Sequence, residues 1–310
     1  MRNVFIDRLF EQAKQDPDIV LITGDLGFSV LEKFQAAYPE QFINAGIAEQ
    51  NMTGMAAGMA LIGKKPYTYS IANFPTLRCL EQIRNDVCYH NANVKIISVG
   101  SGFSYGAQGY THHGIEDITI MRSLPNMRVY SPADITETLW LANYIFNSPS
   151  PGYLRLAKGG TQNLHTDINR YSFPSMLPLI TGNHKTILST GAITCDLYTF
   201  LKEKNLKCNL YSVPVIKPLD LNTLAMISKN SKKIITVEEH QLNGGFGSAI
   251  LEAINKLINQ GRLKKHPRLY RLGVEADNEI VSDMTSEVFA QKVVEKISVM
   301  ENLERDLSFC

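Results

Sequence analysis

Short apolar runs rich in β-branched residues alternate along this chain with longer stretches whose apolar positions recur at helical spacing. The runs IVLITG (19–24), VKIISVG (94–100), MRVYSP (127–132), YLRLA (153–157), TILSTG (186–191), CNLYSVPVI (208–216) and KIITVEE (233–239) read as strands. Helical patterns fall at 2–15, 49–62, 76–91, 134–146, 192–204, 244–259 and 284–297. Strands that alternate with helices predict an α/β protein, and strands apolar on both faces predict mainly parallel sheets covered by helices. The alternation breaks over KGGTQNLHTDINRYSFPSMLPLITGN, which is polar, carries two prolines and a Gly-Gly, and has no period. We therefore expect two domains, each a mainly parallel sheet flanked by helices, at 1–160 and 185–310, with a linker at 161–184.

Composition narrows the classes. With 44% apolar and 20% charged residues in 310, the chain has the means to build a core and is not a disordered one. Lys+Arg 31 against Asp+Glu 30 leaves no broad basic field, which argues against nucleic acid or an acidic membrane as partner. No apolar run approaches the ~18–20 residues that span a bilayer. MRNVFIDRLFEQAK has no apolar signal core. Five scattered cysteines (Cys79, Cys88, Cys195, Cys208, Cys310) form no C-x-x-C pair, so neither a zinc knuckle nor a disulfide framework is indicated. The expected location is the cytoplasm.

Three stretches stand out chemically. In NAGIAEQNMTGMAAGMALIGKKP (44–66), Glu49 begins a helix crowded with Gly54, Ala56, Ala57, Gly58 and Ala60. Glycine costs helix stability, and its usual reason is close approach of a backbone or ligand. Glu49 is then either a capping carboxylate on a buried helix or a site residue. In VGSGFSYGAQGYTHHGIEDI (99–118), Gly100, Gly102, Gly106 and Gly109 make a loop after a strand, where open α/β sheets hold ligands. His112 and His113 sit at its mouth, and they are structural or catalytic with equal plausibility. In YSIANFPTLRCLEQIRND (69–86), Phe74 and Pro75 precede a helix, while Arg78 and Arg84 are solvated or ion-paired.

In order and spacing these stretches resemble the pyrimidine-binding domain of the transketolase family of thiamine-diphosphate enzymes. The resemblance rests on Ala48-Glu49-Gln50, the small-residue helix, Pro66, Phe74 and Thr111-His112-His113-Gly114. VIKPLD (215–220) and VEEHQLNGGFGSAI (237–250) resemble the family's C-terminal domain. What the resemblance implies is the C-terminal half of a split transketolase. The family's Gly-Asp-Gly motif for the diphosphate and its magnesium ion does not occur here; GDLG (24–27) is not that motif. The cofactor would be shared with a partner, an N-terminal transketolase subunit carrying the Mg, in an α2β2 heterotetramer whose two copies of this chain contact each other.

The resemblance also implies roles. Glu49 would hydrogen-bond the aminopyrimidine, a role suited to a carboxyl that keeps or shares a proton in a dry setting. Phe74 would pack on the pyrimidine, with Arg78 and Asp25 beside the cofactor. His112 would orient the sugar and move protons. Arg2, Ser29 and Lys158 match phosphate-binding positions, Lys158 replacing an Arg and so losing the bidentate fork. Gln108 stands where classical members have an Asp, and a family His or Arg is missing near Gly100 and Ser101. These departures point to a non-standard sugar acceptor. The implied activity is transfer of a two-carbon ketol unit from a ketose to an aldehyde. The alternatives are the β subunit of a 2-oxo acid dehydrogenase, a deoxyxylulose-phosphate-synthase-like enzyme, or an inactive binding or regulatory subunit. Glu238, Glu239 and His240, at a strand end, read as a polar interdomain or dimer contact more readily than as catalytic groups.

Overall fold

A computed structural model describes residues 1–159, 162–275 and 284–307; the expected domain boundary at 160–161 and Cys310 lie outside them. The first half runs α1 (Arg2–Ala13), β1 (Ile19–Thr23), α2 (Glu32–Ala37), β2 (Phe42–Asn44), α3 (Glu49–Leu61), β3 (Lys65–Ile71), α4 (Leu80–Gln82), β4 (Lys95–Val99), α5 (Asp117–Ser123), β5 (Arg128–Tyr130), α6 (Ile135–Asn147) and β6 (Gly152–Leu156). The second runs β7 (Leu177–Ile180), β8 (Lys185–Ser189), α7 (Ile193–Glu203), β9 (Asn209–Ser212), β10 (Val215–Lys217), α8 (Leu221–Asn230), β11 (Lys233–Gln241), α9 (Phe246–Asn259), β12 (Arg268–Val274) and α10 (Ser286–Leu307).

Two sheets result, ordered β10-β5-β6-β4-β3-β1-β2 and β12-β11-β8-β9-β7. Every pairing is parallel except β10 with β5 and β7 with β9, both at sheet edges. β1, β4 and β6 are buried at every position, because helices cover both faces. The α/β expectation, with two mainly parallel sheets, holds.

Four strands escaped the sequence reading: β2, β3, β7 and β12. The run 208–216 also divides. β9 joins the second sheet, Val213 and Pro214 turn the chain, and β10 crosses to pair antiparallel with β5 of the first. The Ser131 N–H donates to the Pro214 carbonyl at 2.9 Å, fastening that crossing. The helical pattern at 76–91 becomes the single turn α4 followed by a π-helical turn, Ile83–Cys88.

One apolar cluster spans both sheets. It joins Met52 and Ala56 of α3 and Ile118 and Met121 of α5 to Phe246, Ile250 and Ile254 of α9. α6 is stopped at its start by a reciprocal cap: Asp134 Oδ1 accepts from the Glu137 N–H at 2.7 Å, and Glu137 Oε2 accepts from the Ala133 N–H at 2.6 Å. Cys79, Cys88 and Cys195 are buried thiols. No helix among the described residues is long and apolar enough to cross a membrane.

Candidate functional site

The strands of the first sheet deliver their following loops to one edge, and the singular stretches meet there. Glu49 opens α3 and is only 2% exposed. Its carboxylate packs against Gly24, the residue after β1. The Arg78 guanidinium, half exposed, donates through Nη1 to Glu49 Oε2 at 2.7 Å. Gln50 Nε2 donates to the Arg78 carbonyl at 3.1 Å, so consecutive residues of α3 hold both ends of Arg78.

Arg78 lies over the Phe74 ring, 4.5 Å from its centroid. Phe74 meets the His112 ring edge-on at 5.3 Å. Asn73 Nδ2 donates to the Tyr110 and Thr111 carbonyls, tying the Phe74 turn to the histidine loop. Asn73 Oδ1 is buried and has no hydrogen-bond partner among the described residues. Asn73, Phe74, Leu77, Arg78, Tyr110, Thr111 and Glu116 line a cleft of about 280 Å³.

His112 is half-buried, and its Nδ1 lies 3.0 Å from Thr111 Oγ1. Burial, then the neighbouring His113, holds its imidazole below the ordinary range. It is therefore neutral near pH 7, with one ring nitrogen to accept and one to donate. His113 serves the loop instead: it is buried, with Nε2 2.9 Å from the Gly106 carbonyl and its ring edge-on to Phe103.

A basic rim borders His112. Tyr105 stands 5.9 Å from the His112 ring, and Lys158 Nζ sits 4.6 Å from the Tyr105 centroid. Burial raises the Tyr105 phenol, and the Arg2 charge opposes that shift. Burial likewise pushes the Tyr69 phenol up to about 12, again with the Arg2 charge opposing. Gly100 explains how Tyr105 fits: it has φ +94, and a Cβ there would run into the Tyr105 ring.

Most of the predicted residues are thus connected. Glu49, Arg78, Phe74 and His112 follow one another in contact, and Tyr105 links His112 to Lys158. Asp25 lies next to Gly24, but its Oδ1 accepts from Asn44 Nδ2 at 3.0 Å and its side chain is exposed. Ser29, at φ +63, donates its N–H to Glu32 Oε1, and Gln108 is exposed on a short 3₁₀ turn. Among the described residues no hydrogen bond or ion pair joins the Ser29 or Gln108 side chain to the others. Tyr105 and Asn73 were not anticipated. The unexplained Gly100 was the one trace of Tyr105 in the sequence.

The donor set fits an aminopyrimidine: a buried carboxyl, an aromatic face and an unpartnered carbonyl oxygen beside a cleft. Among the described residues no group of three or more His, Cys, Asp and Glu side chains is placed to hold a metal ion.

Glu238, Glu239 and His240 lie in a buried network between the sheets, with Glu239 reaching the base of the histidine loop at Phe103. Asp117 Oδ2 accepts from Arg155 Nε at 2.7 Å and from the Tyr153 hydroxyl at 2.6 Å. His240 Nε2 accepts from the Ile118 N–H at 3.1 Å, and burial pushes this imidazole down to about 4. Glu238 accepts from the Phe246 and Gly247 N–H groups, yet burial outweighs them and pushes it up to about 8. The interdomain reading of this motif is the one the contacts support.

The chain matches the family model "Transketolase, pyrimidine binding domain" over residues 1–162 and "Transketolase, C-terminal domain" over 179–274. It is 33% identical over 300 residues to one of the subunits of the apulose-4-phosphate transketolase of Phocaeicola vulgatus, covering 95% of this chain and 93% of that one. It is 34% identical to the 1-deoxy-D-xylulose-5-phosphate synthase of Syntrophus aciditrophicus over 82% of this chain, spanning 40% of that longer protein. A solved split-gene transketolase, an inactive β4 tetramer, superposes with a TM-score of 0.79 at 30% identity, covering 95% of this chain and 96% of that one.

Proposed function

Because the chain belongs to the transketolase family, we propose that it is the C-terminal subunit of a split, thiamine-diphosphate-dependent transketolase. It would move a two-carbon ketol unit from a ketose, or ketose phosphate, to an aldehyde. It would act only with a second polypeptide that holds the diphosphate and its magnesium ion. The observation that carries this reading is the unbroken run of contacts from the buried Glu49 through Arg78 and Phe74 to His112.

When bound, the cofactor supplies the electron sink for breaking and making the carbon–carbon bond. The residues of this chain do the rest. Glu49 would hydrogen-bond a ring nitrogen of the pyrimidine, and Phe74 would offer the ring a face. Arg78 keeps the Glu49 side chain aimed while that place is empty. His112, neutral and tethered at Nδ1 by Thr111, accepts or donates a proton at a sugar oxygen. Lys158 and Arg2 supply positive charge for a phosphate, with Lys158 seated on Tyr105.

Self-association is part of the proposal. Gly54 and Gly58 fall on one side of α3, and a Cβ at either would meet nothing within 4 Å. Ile47 and Ile62, both 80% exposed, flank that side. A bare face of small and apolar residues suits close helix packing against a second copy, in an α2β2 complex with the partner.

The test is an affinity pull-down with thiamine diphosphate and magnesium present, followed by reconstitution. A stoichiometric partner carrying Gly-Asp-Gly, and ketol transfer lost on Glu49→Gln by about 10²–10³-fold, are expected. Full activity of Glu49→Gln would defeat the reading and favour a non-catalytic subunit. Light scattering that shows only a 1:1 complex would defeat the α2β2 assembly. The deoxyxylulose-phosphate-synthase reading is kept alive by Arg78, which falls near a position that is Arg in those enzymes; carbon dioxide release from pyruvate, in place of ketol transfer, would select it.

A further inference from the structure

The segment leading to His112 has four glycines within residues 100–109, and such a segment holds one conformation only if its surroundings impose it. Its base is closed by backbone hydrogen bonds in both directions between Gly102 and Gly114, each 2.9 Å. One end of that closure is gripped from β11 of the second sheet, and the other from β6 of the first. Glu239, on β11, accepts the Phe103 N–H through Oε1 at 3.0 Å, at the first residue inside the loop. Gly102, at φ +60, is where the Glu239 carboxyl passes; a Cβ there would collide with it. At the other end Arg155 Nη2 donates to the Gly114 carbonyl at 2.6 Å and to the Glu239 carbonyl at 2.9 Å. Within the loop, Phe103 stands edge-on to His113 at 5.0 Å and packs on Phe289 of α10. His113 fastens Gly106, and His112 is the residue just before it.

We propose that Glu239 is a positioning residue for His112, through which the second domain helps to fix the geometry of that histidine. A buried carboxylate is a costly way to fill space; an apolar side chain would fill it more cheaply if packing were its whole purpose. What the carboxylate adds is a directed acceptor for one backbone N–H, at the point where the loop leaves the sheet. Side chains that act on reacting groups must be held to fractions of an ångström, and a glycine-rich loop cannot do so unaided.

The inference rests on reading His112 as a site residue, but its test uses the isolated chain and needs no partner. Histidine-labelled NMR follows the His112 titration, and hydrogen exchange follows 103–113. The groups facing His112 are Thr111, Tyr105, Phe74 and His113, with Lys158 across Tyr105. Glu239→Ala should move the His112 titration up toward that of a free imidazole and speed loop exchange by about tenfold or more. Glu239→Gln, whose Oε1 still accepts from Phe103, should restore both. Glu137→Ala removes an equally buried carboxylate from the α6 cap and should lower stability while changing neither. If Glu239→Ala does not fold, Glu239→Asp, too short to reach Phe103, is read in the same way. A titration and an exchange pattern in the Ala or Asp variant that superpose on wild type overturn the proposal. Unchanged turnover by His112→Ala in the reconstituted complex would instead overturn the role of His112 and leave the loop result standing.

Discussion

Replacing Arg78 by Met keeps the side chain's length and its packing on Phe74 but removes the charge that faces Glu49. At about 4 Å between charge centres and an effective dielectric near 20, the pair is worth about 4 kcal/mol before screening. Arg78 is 46% exposed while Glu49 is 2% exposed, so water reaches one partner only. Exposed pairs measure about 0.2–1 kcal/mol, and breaking a fully buried pair costs about 3–5 kcal/mol. The expectation for Arg78→Met therefore lies between, at about 1.5–2.5 kcal/mol. With a urea slope of about 3 kcal/mol/M that lowers the unfolding midpoint by about 0.5–0.8 M. The sharper test is a cycle with Glu49→Gln. The double variant has no stranded buried charge, so it should be more stable than Arg78→Met alone. Additivity of the two substitutions within about 0.3–0.5 kcal/mol would refute the argument, since it would mean that the two groups do not feel each other.

Stability should also depend on pH through the interdomain network. Glu238 titrates near 8 in the folded chain against an ordinary 4.5, so the native state keeps a proton that the unfolded state has lost, and stability falls as pH rises from 4.5 to 8. His240 titrates near 4 against an ordinary 6.5, so stability falls as pH drops from 6.5 to 4. The two slopes oppose each other between 4.5 and 6.5. Above 6.5 Glu238 goes on lowering stability, while Lys95, pushed down by burial to about 7 against an ordinary 10.5, raises it from pH 7 upward; the Glu238 contribution, about 2 kcal/mol by pH 8, is therefore read as the difference between wild type and Glu238→Gln in denaturant titrations, and a Glu238→Gln profile parallel to wild type would disprove the assignment. Gly100→Ala must accommodate both φ +94 and the Tyr105 ring, and should cost about 2–4 kcal/mol in urea unfolding; a loss under about 0.5 kcal/mol would show that the ring moves aside freely. Lys158→Ala in the reconstituted enzyme should raise KM for phosphorylated sugars by about 10–100-fold, the worth of a charged hydrogen bond, and spare unphosphorylated ones; equal effects on both would remove Lys158 from phosphate recognition.

The sequence was legible where local pattern and local chemistry coincide. β1, β4 and β6 are unbroken apolar runs, and they were found. β3 was missed because KPYTYSI begins beside a proline and alternates with polar residues that only the surrounding helices bury. β12 was missed because Arg268 and Arg271 interrupt it and its first half is only partly buried. The division of 208–216 was invisible because nothing in the run announces that its two halves serve different sheets. The site followed the same rule. Glu49, Phe74 and His112 each sit in a stretch with its own signature. The grip of Arg78 on Glu49, the seat of Lys158 on Tyr105 and the hold of Glu239 on Phe103 join residues far apart in the chain, and only the tertiary path reveals them.

The crossing of β10 has a consequence for how this molecule comes apart. Two sheets joined by one covalent thread would separate when that thread is cut. Here the chain leaves the first sheet after β6, builds three strands of the second, returns β10 to the outer edge of the first, and departs again. A protease nick between β6 and β7 would therefore release nothing, because the fragment beyond the nick remains knitted into both layers. A truncated first half would expose the edge of β5, with its unpaired N–H and C=O groups, to any passing strand. The two sheets should melt together in one calorimetric transition, and gene fragments cut between them should aggregate where the whole chain stays dissolved.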